Sequence, residues 1–101
     1  MGCQKVTEKE IERRLCETVR KCGGLTYKLI GLVNGLPDRI VILPDGAVWF
    51  VELKTEKGRL SKIQQFQIGE LEKRGANVRV IRGLDGAREF IEEVMGDADR
   101  V

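Results

Sequence analysis

Asp38, Glu52 and Lys54 are the residues whose types and spacing could do chemistry. The run Ala47-Val48-Trp49-Phe50-Val51 is the most apolar stretch of the chain, and it ends in Glu52-Leu53-Lys54. Side chains of an extended strand alternate between faces, so Val48, Phe50, Glu52 and Lys54 share one side. An acid and an amine thus stand together at the end of a strand that reads as buried. Asp38 opens the preceding apolar run, Arg39-Ile40-Val41-Ile42-Leu43. Pairing the two runs as a hairpin brings Asp38 back beside Glu52 and Lys54. Magnesium takes oxygen ligands and keeps several waters, so one or two carboxylates with a substrate phosphate satisfy it. Asp38 and Glu52 would be those carboxylates, and the backbone carbonyl of Leu53 a further ligand. Such an ion lowers the pKa of bound water and screens phosphate charge. Lys54 is placed to orient the nucleophile or to stabilise charge developing on phosphorus. The chemistry served is phosphodiester hydrolysis with Mg2+, for which Mn2+ substitutes. Taken alone, the strand end is also accounted for by an ion pair of Glu52 with Lys54 or Arg39.

Composition narrows the alternatives. The chain has no histidine, which removes Ser-His-Asp and Cys-His catalysis, histidine-held zinc and imidazole acid–base chemistry together. Cys3, Cys16 and Cys22 are odd in number and lack C-x-x-C spacing, against a zinc module or a disulfide framework and in keeping with reduced thiols. A length of 101 residues, 42% hydrophobic and 34% charged, predicts a single soluble domain over 1–101, with the tail after about residue 96 frayed. No apolar run approaches the roughly 20 residues of a membrane helix. No leader-type segment opens the chain, so the expected setting is cytoplasmic, without a membrane partner. The net charge of +2 says little, but Lys54, Lys57, Arg59 and Lys62 cluster just after the apolar strand. A solvated face is the ordinary reason for such a cluster.

The elements that must position these groups follow from periodicity and caps. Residues 7–22 read as a helix with Thr7 and Glu10 as a capping box, a stripe of Ile11, Leu15, Val19 and Cys22, and Gly23-Gly24 as its stop. Glu8 and Glu12 flank that stripe. A first strand spans 25–33, and Asn34-Gly35-Leu36-Pro37 forms a loop. Strand two runs from Asp38 to Leu43, Pro44-Asp45-Gly46 turns the chain, and strand three runs from Ala47 to Lys54. After a charged loop, Ser61 caps a second helix to about Arg74, with Gly75 as its stop. Strand four covers 77–82, and Asp85 caps a last helix through Phe90, Ile91, Val94 and Met95. The predicted fold is α/β, order α-β-β-β-α-β-α, a mixed sheet flanked by helices. Strands two and three are antiparallel, strand four joins strand three in parallel by a crossover, and strand three is central.

Pro37-Asp38, thirteen intervening residues and Glu52-Leu53-Lys54 resemble the active site of the PD-(D/E)xK nuclease superfamily. Gly23-Gly24-Leu25, the segment Gly35 to Pro44, Gly58-Arg59-Leu60-Ser61, Gln64 with Leu71, and Val78-Arg79-Val80-Ile81 resemble stand-alone, phage-type VRR-NUC domains. The resemblance runs from about Glu8 to Ile91 and implies a restriction-endonuclease-like core. It makes Asp38 and Glu52 metal ligands, Lys54 the catalytic lysine and Gln64 the active-site glutamine. It also implies a first-helix glutamate. Glu12, eleven residues before Gly23, has the spacing of archaeal junction resolvases and is favoured, with Glu8 as the alternative.

The implied function is a metal-dependent, structure-selective DNA endonuclease in a phage or bacterial host cytoplasm. A Holliday-junction resolvase is the leading form, because stand-alone members are similar in size to dimeric resolvases. Two coordinated nicks in a four-way junction ask a one-site chain to act as a homodimer. Lys57, Arg59, Lys62 and Arg39 would contact DNA phosphates, which carry affinity but no sequence information. A monomer cutting flaps, forks or duplex ends, and a non-catalytic DNA-binding module keeping the fold, are the rival expectations.

Overall fold

The computed structural model describes residues 6–29, 31 and 33–96. Cys3 and the tail beyond Gly96 lie outside the described residues. The element order is α1 (Glu8–Lys21), β1 (Leu25–Lys28), β2 (Arg39–Ile42), β3 (Val48–Lys54), α2 (Lys62–Lys73), β4 (Asn77–Arg82) and α3 (Gly83–Met95). The four strands form one sheet in the order β1-β2-β3-β4. The first two junctions are antiparallel and β3 pairs with β4 in parallel, as the turn and crossover lengths predict. β3 therefore lies inside the sheet.

Local signals explain most boundaries. The Thr7 hydroxyl accepts from the Glu10 amide and starts α1, and Ile11, Leu15 and Val19 bury one stripe of it. The Gly46 amide donates to the Leu43 carbonyl and the Leu43 amide to Ala47, which closes the β2–β3 turn. Two boundaries depart from the sequence expectation. β1 ends at Lys28 rather than running on to residue 33, and the following segment goes into a loop that reaches across to α2. α3 begins at Gly83 with Arg82 as its unassisted N-cap, so Asp85 sits in the first turn and not at the cap.

Alternation then separates two faces. Val41, Val51, Leu53 and Ile81 point to one side and form the main core with Ile11, Leu15, Val19, Phe90 and Ile91 from α1 and α3. Trp49 belongs to that side. Its ring meets Phe90 edge-on at 5.3 Å, and the Arg79 guanidinium lies 5.2 Å from its centroid. The other side carries Val48, Phe50, Glu52 and Lys54, with α2 against the β4 end and Ile68 as that helix's buried residue. The predicted site thus lies on the face opposite the main core.

Candidate active site

The β2–β3 register sets Arg39 across from Val51, and one further step sets Asp38 across from Glu52. Residues directly opposite in an antiparallel pair hold their Cβ atoms about 5 Å apart. The two carboxylates therefore converge at the strand ends, as the hairpin argument requires. The Leu53 amide donates to Asp38 Oδ2 at 2.8 Å, which aims one Asp38 oxygen and ties the two strands together.

Glu52 is 2% exposed. Its Oε2 accepts from Gln64 Nε2 at 3.0 Å and lies 3.7 Å from Lys54 Nζ, an ion pair too long for a direct hydrogen bond. Its Oε1 is buried with no partner among the described residues. Burial pushes the Glu52 carboxyl up to about 7, helped by the charges of Asp38 and Glu8 and opposed by Lys54. An orphaned carboxylate oxygen in a native fold calls for an explanation. A hard cation is one that the chemistry of this set fits, since an opposite charge at Oε1 would lower the carboxyl again.

Gln64 is placed by a device its sequence carries. Ser61 and Gln64 form a complete capping box: the Gln64 amide donates to the Ser61 hydroxyl at 3.2 Å, and the Ser61 amide donates to Gln64 Oε1 at 2.9 Å. That second bond occupies the oxygen and leaves Nε2 to face Glu52. In the sequence Ser61 reads as the cap but Gln64 not as its return partner, although S-x-x-Q is a capping-box pattern; which acid the free amide would meet has no local signal. Gly35 supports the same helix end. Its φ is +87°, and a Cβ there would meet the Ile63 carbonyl oxygen at 2.8 Å, so the β1–β2 loop packs directly on the first turn of α2.

The two first-helix glutamates separate cleanly. Glu12 accepts from Arg39 Nη1 at 2.7 Å and lies 3.9 Å from Lys28, on the core face of the sheet and away from Glu52. Glu8, exposed at the start of α1, is the one whose charge acts on Glu52. Among the described residues, no three acidic, cysteine or histidine side chains close on one point. Asp38 and Glu52 are therefore the donor pair that the fold brings together.

Lys57 and Arg59 are exposed on the loop after β3, which Arg82 fastens through the Gly58 carbonyl, and Lys62 is exposed at the first position of α2. Arg39 is different, and its expected phosphate contact is corrected. It is 6% exposed, its Nε donates to Thr26 and its Nη1 to Glu12, so it anchors α1 to the sheet. The sequence offered no sign of this bridge, because Glu12, Thr26 and Arg39 meet only through packing.

A mixed sheet with an acid opening one strand and E-x-K closing the next, with helices on both sides, defines a PD-(D/E)xK-type nuclease fold. The comparisons narrow this further. The VRR-NUC domain model matches residues 3–85. The chain is 36% identical over 81 residues to "Putative nuclease p44" of Acyrthosiphon pisum secondary endosymbiont phage 1, covering 79% of this chain and 87% of that protein. A solved VRR-NUC domain superposes with a TM-score of 0.79 at 32% identity, over 88% of this chain and 99% of the other. A second VRR-NUC domain protein, 20% identical, shares the fold with a TM-score of 0.74 over 91% and 90% of the two chains. The chain belongs to the VRR-NUC family and is a nuclease. No helix among the described residues is long and apolar enough to cross a membrane.

Proposed function

We propose that the protein is a divalent-metal-dependent endonuclease that hydrolyses phosphodiester bonds in branched DNA, with four-way junctions cut by a homodimer. The observation that carries the metal is the buried, partnerless Oε1 of Glu52 opposite Asp38. Asp38, Glu52 and the Leu53 carbonyl would hold Mg2+ or Mn2+, and Glu8, whose charge acts on Glu52, is the first-helix glutamate that would add to them. Bound there, the ion would supply a lowered water pKa and charge neutralisation at the phosphate.

The chain's own groups do the rest. Lys54, held near Glu52, presents an ammonium to the side on which the phosphate would lie. It steadies the attacking water and the negative charge that builds on the phosphoryl oxygens. Gln64 keeps Glu52 turned toward Asp38. The exposed Lys57, Arg59 and Lys62 hold the DNA backbone, which favours recognition of shape over base sequence.

Incubation of purified protein with end-labelled four-way junctions, forks, flaps and linear duplex, with Mg2+ or Mn2+ or with chelator, tests this reading. Metal-dependent cuts placed symmetrically on opposing junction strands are expected. Lys54→Ala should lower the rate by roughly 10²–10³-fold while circular dichroism shows an unchanged fold. Undiminished cleavage in Lys54→Ala or Glu52→Ala would remove the assignment. Cuts confined to forks or duplex ends would replace the junction reading with the flap and fork one.

A further inference from the structure

Lys54 has to keep an ammonium at one place on the end of β3, and its side chain is poorly suited to that. A lysine stem is flexible and spreads its charge over many rotamers when nothing restrains it. Glu52 does not fix it, because the 3.7 Å between Oε2 and Nζ exceeds a direct hydrogen bond. Yet the Lys54 side chain is only 14% exposed. The loop that follows β3 lies on its stem. A Cβ on Gly58 would stand 3.3 Å from Lys54 Cδ, 3.4 Å from Lys54 Cβ and 3.2 Å from Thr55 Oγ1, inside the roughly 3.5–4.0 Å optimum of carbon pairs. Gly58 is not among the glycines with positive φ, so its close approach to the lysine, and not its backbone, accounts for the missing side chain. The loop turns there on itself, the Gly58 amide donating to the Thr55 carbonyl at 3.1 Å. The segment Gly58-Arg59-Leu60-Ser61 thus begins with a residue pressed against the stem of Lys54.

Arg82 holds the loop in that position. β4 runs parallel to β3 with Arg82 as the partner of Lys54, so both side chains leave the sheet on the site face. Arg82 Nη1 donates to the Gly58 carbonyl, a charge-assisted bond from a group that stays ionised at any working pH. The next residue grips the same loop a second time. Gly83 has a φ of +69°, and a Cβ on it would meet Glu56 Cγ at 2.8 Å, so the Glu56 stem lies on the backbone at the β4–α3 junction. Arg82 is also the N-cap of α3, but its side chain makes no cap hydrogen bond. The helix therefore has no use for the guanidinium, and the loop does.

We infer that Arg82 is a positioning residue for Lys54, acting through the Gly58 carbonyl to hold the 55–60 loop on the lysine stem. Arg82 matters to cleavage because Lys54 does, so its role rests on the reading of Lys54 as the ammonium at the phosphate. β3 supplies the amine, and β4 supplies the strut that confines it. Lys57 and Arg59, both exposed, flank Gly58, so the segment that would hold DNA phosphates is also the one that sets the lysine. A displacement of about 1 Å at a reacting group costs on the order of 10²-fold in rate, which gives the size of effect to look for.

The test is a double-mutant cycle on the full chain, read by single-turnover cleavage of labelled DNA with saturating enzyme and Mn2+. Arg82→Gln should lower the rate constant by roughly 10–100-fold, while the DNA Kd in chelator and the circular dichroism melt barely move. Gly58→Ala leaves Arg82 in place and pushes on the stem, and it should slow cleavage with the same unchanged Kd. In a Lys54→Ala background, Arg82→Gln should cost less than about 2-fold more, since the group it positions is gone. Arg82 is itself exposed, and a direct phosphate contact gives a different pattern: weaker binding, a plot of log K against log salt flatter by about 0.9, and equal losses in both backgrounds. That pattern overturns the inference, and so does a wild-type rate in Arg82→Gln. A second readout needs neither DNA nor metal. In protein carrying 13Cε-lysine, the two Hε protons of Lys54 should be inequivalent in the wild type and merge in Arg82→Gln; a splitting that survives the substitution overturns the inference. Full activity in Lys54→Ala removes the reading of Lys54 alone, and the lysine signals then still decide whether Arg82 holds the side chain.

Discussion

Replacing Glu52 by glutamine should stabilise the protein at alkaline pH, although it removes a charge from the heart of the site. The folded state holds the Glu52 carboxyl at about 7 against a reference of 4.5. Between these values the folded chain keeps a proton that the unfolded chain has released. Stability from this group is therefore complete below pH 4.5, falls as pH rises, and is lost above pH 7. At about 1.4 kcal/mol per pH unit, the gap amounts to roughly 3 kcal/mol. Glutamine has nearly the same shape and no charge to bury, so Glu52→Gln should match the wild type near pH 4.5 and exceed it by about 2–3 kcal/mol at pH 8. With a urea m-value of ~1.5 kcal/mol/M, the midpoint should rise by about 2 M.

The assay is urea unfolding in chelator at pH 4.5, 6, 7 and 8, at one fixed protein concentration, scored as variant minus wild type. Ionisations common to both proteins cancel in that difference. Manganese added at pH 8 should raise the wild-type midpoint and move the variant's less, because the ligand anion is gone. A variant no more stable than wild type at pH 8, or a difference that does not change with pH, would refute the account of Glu52 as a carboxyl raised by burial.

Four further substitutions, one of them set against a control, test other parts of the site and its supports. Glu8→Gln should weaken metal-dependent stabilisation and cleavage with little change in chelator-treated stability. Glu12→Gln should cost about 1–3 kcal/mol through the buried Arg39 and leave cleavage largely intact; the reverse pattern, read by urea melts and junction assays, would restore Glu12 as the site glutamate. Gln64→Ala should lose the capping box and the donor to Glu52, lowering stability by about 1–2 kcal/mol, visible in the same melts. Gly35→Ala should destabilise by more than Gly31→Ala. Both glycines have positive φ, +87° and +83°, but only a Cβ at Gly35 meets backbone, at the Ile63 carbonyl, while one at Gly31 meets nothing within 4 Å; equal melting shifts would show that the loop does not brace α2.

The amino-acid sequence by itself determined the β2–β3 and β3–β4 pairings and the acid–acid–lysine set. Those follow from local rules: a short turn at Pro44–Gly46 makes β2 and β3 antiparallel, and two-residue alternation puts Glu52 and Lys54 on one face. The cap at Ser61 was equally local. Where Gln64 points, which first-helix glutamate Arg39 binds, and with it what Arg39 does, were decided only by packing. Arg39 and Glu12 are 27 residues apart and meet because α1 lies on the core face of β2, and no spacing rule connects a helix flank to a strand it crosses. The raised Glu52 carboxyl is likewise a property of burial, which depends on every element around the strand end.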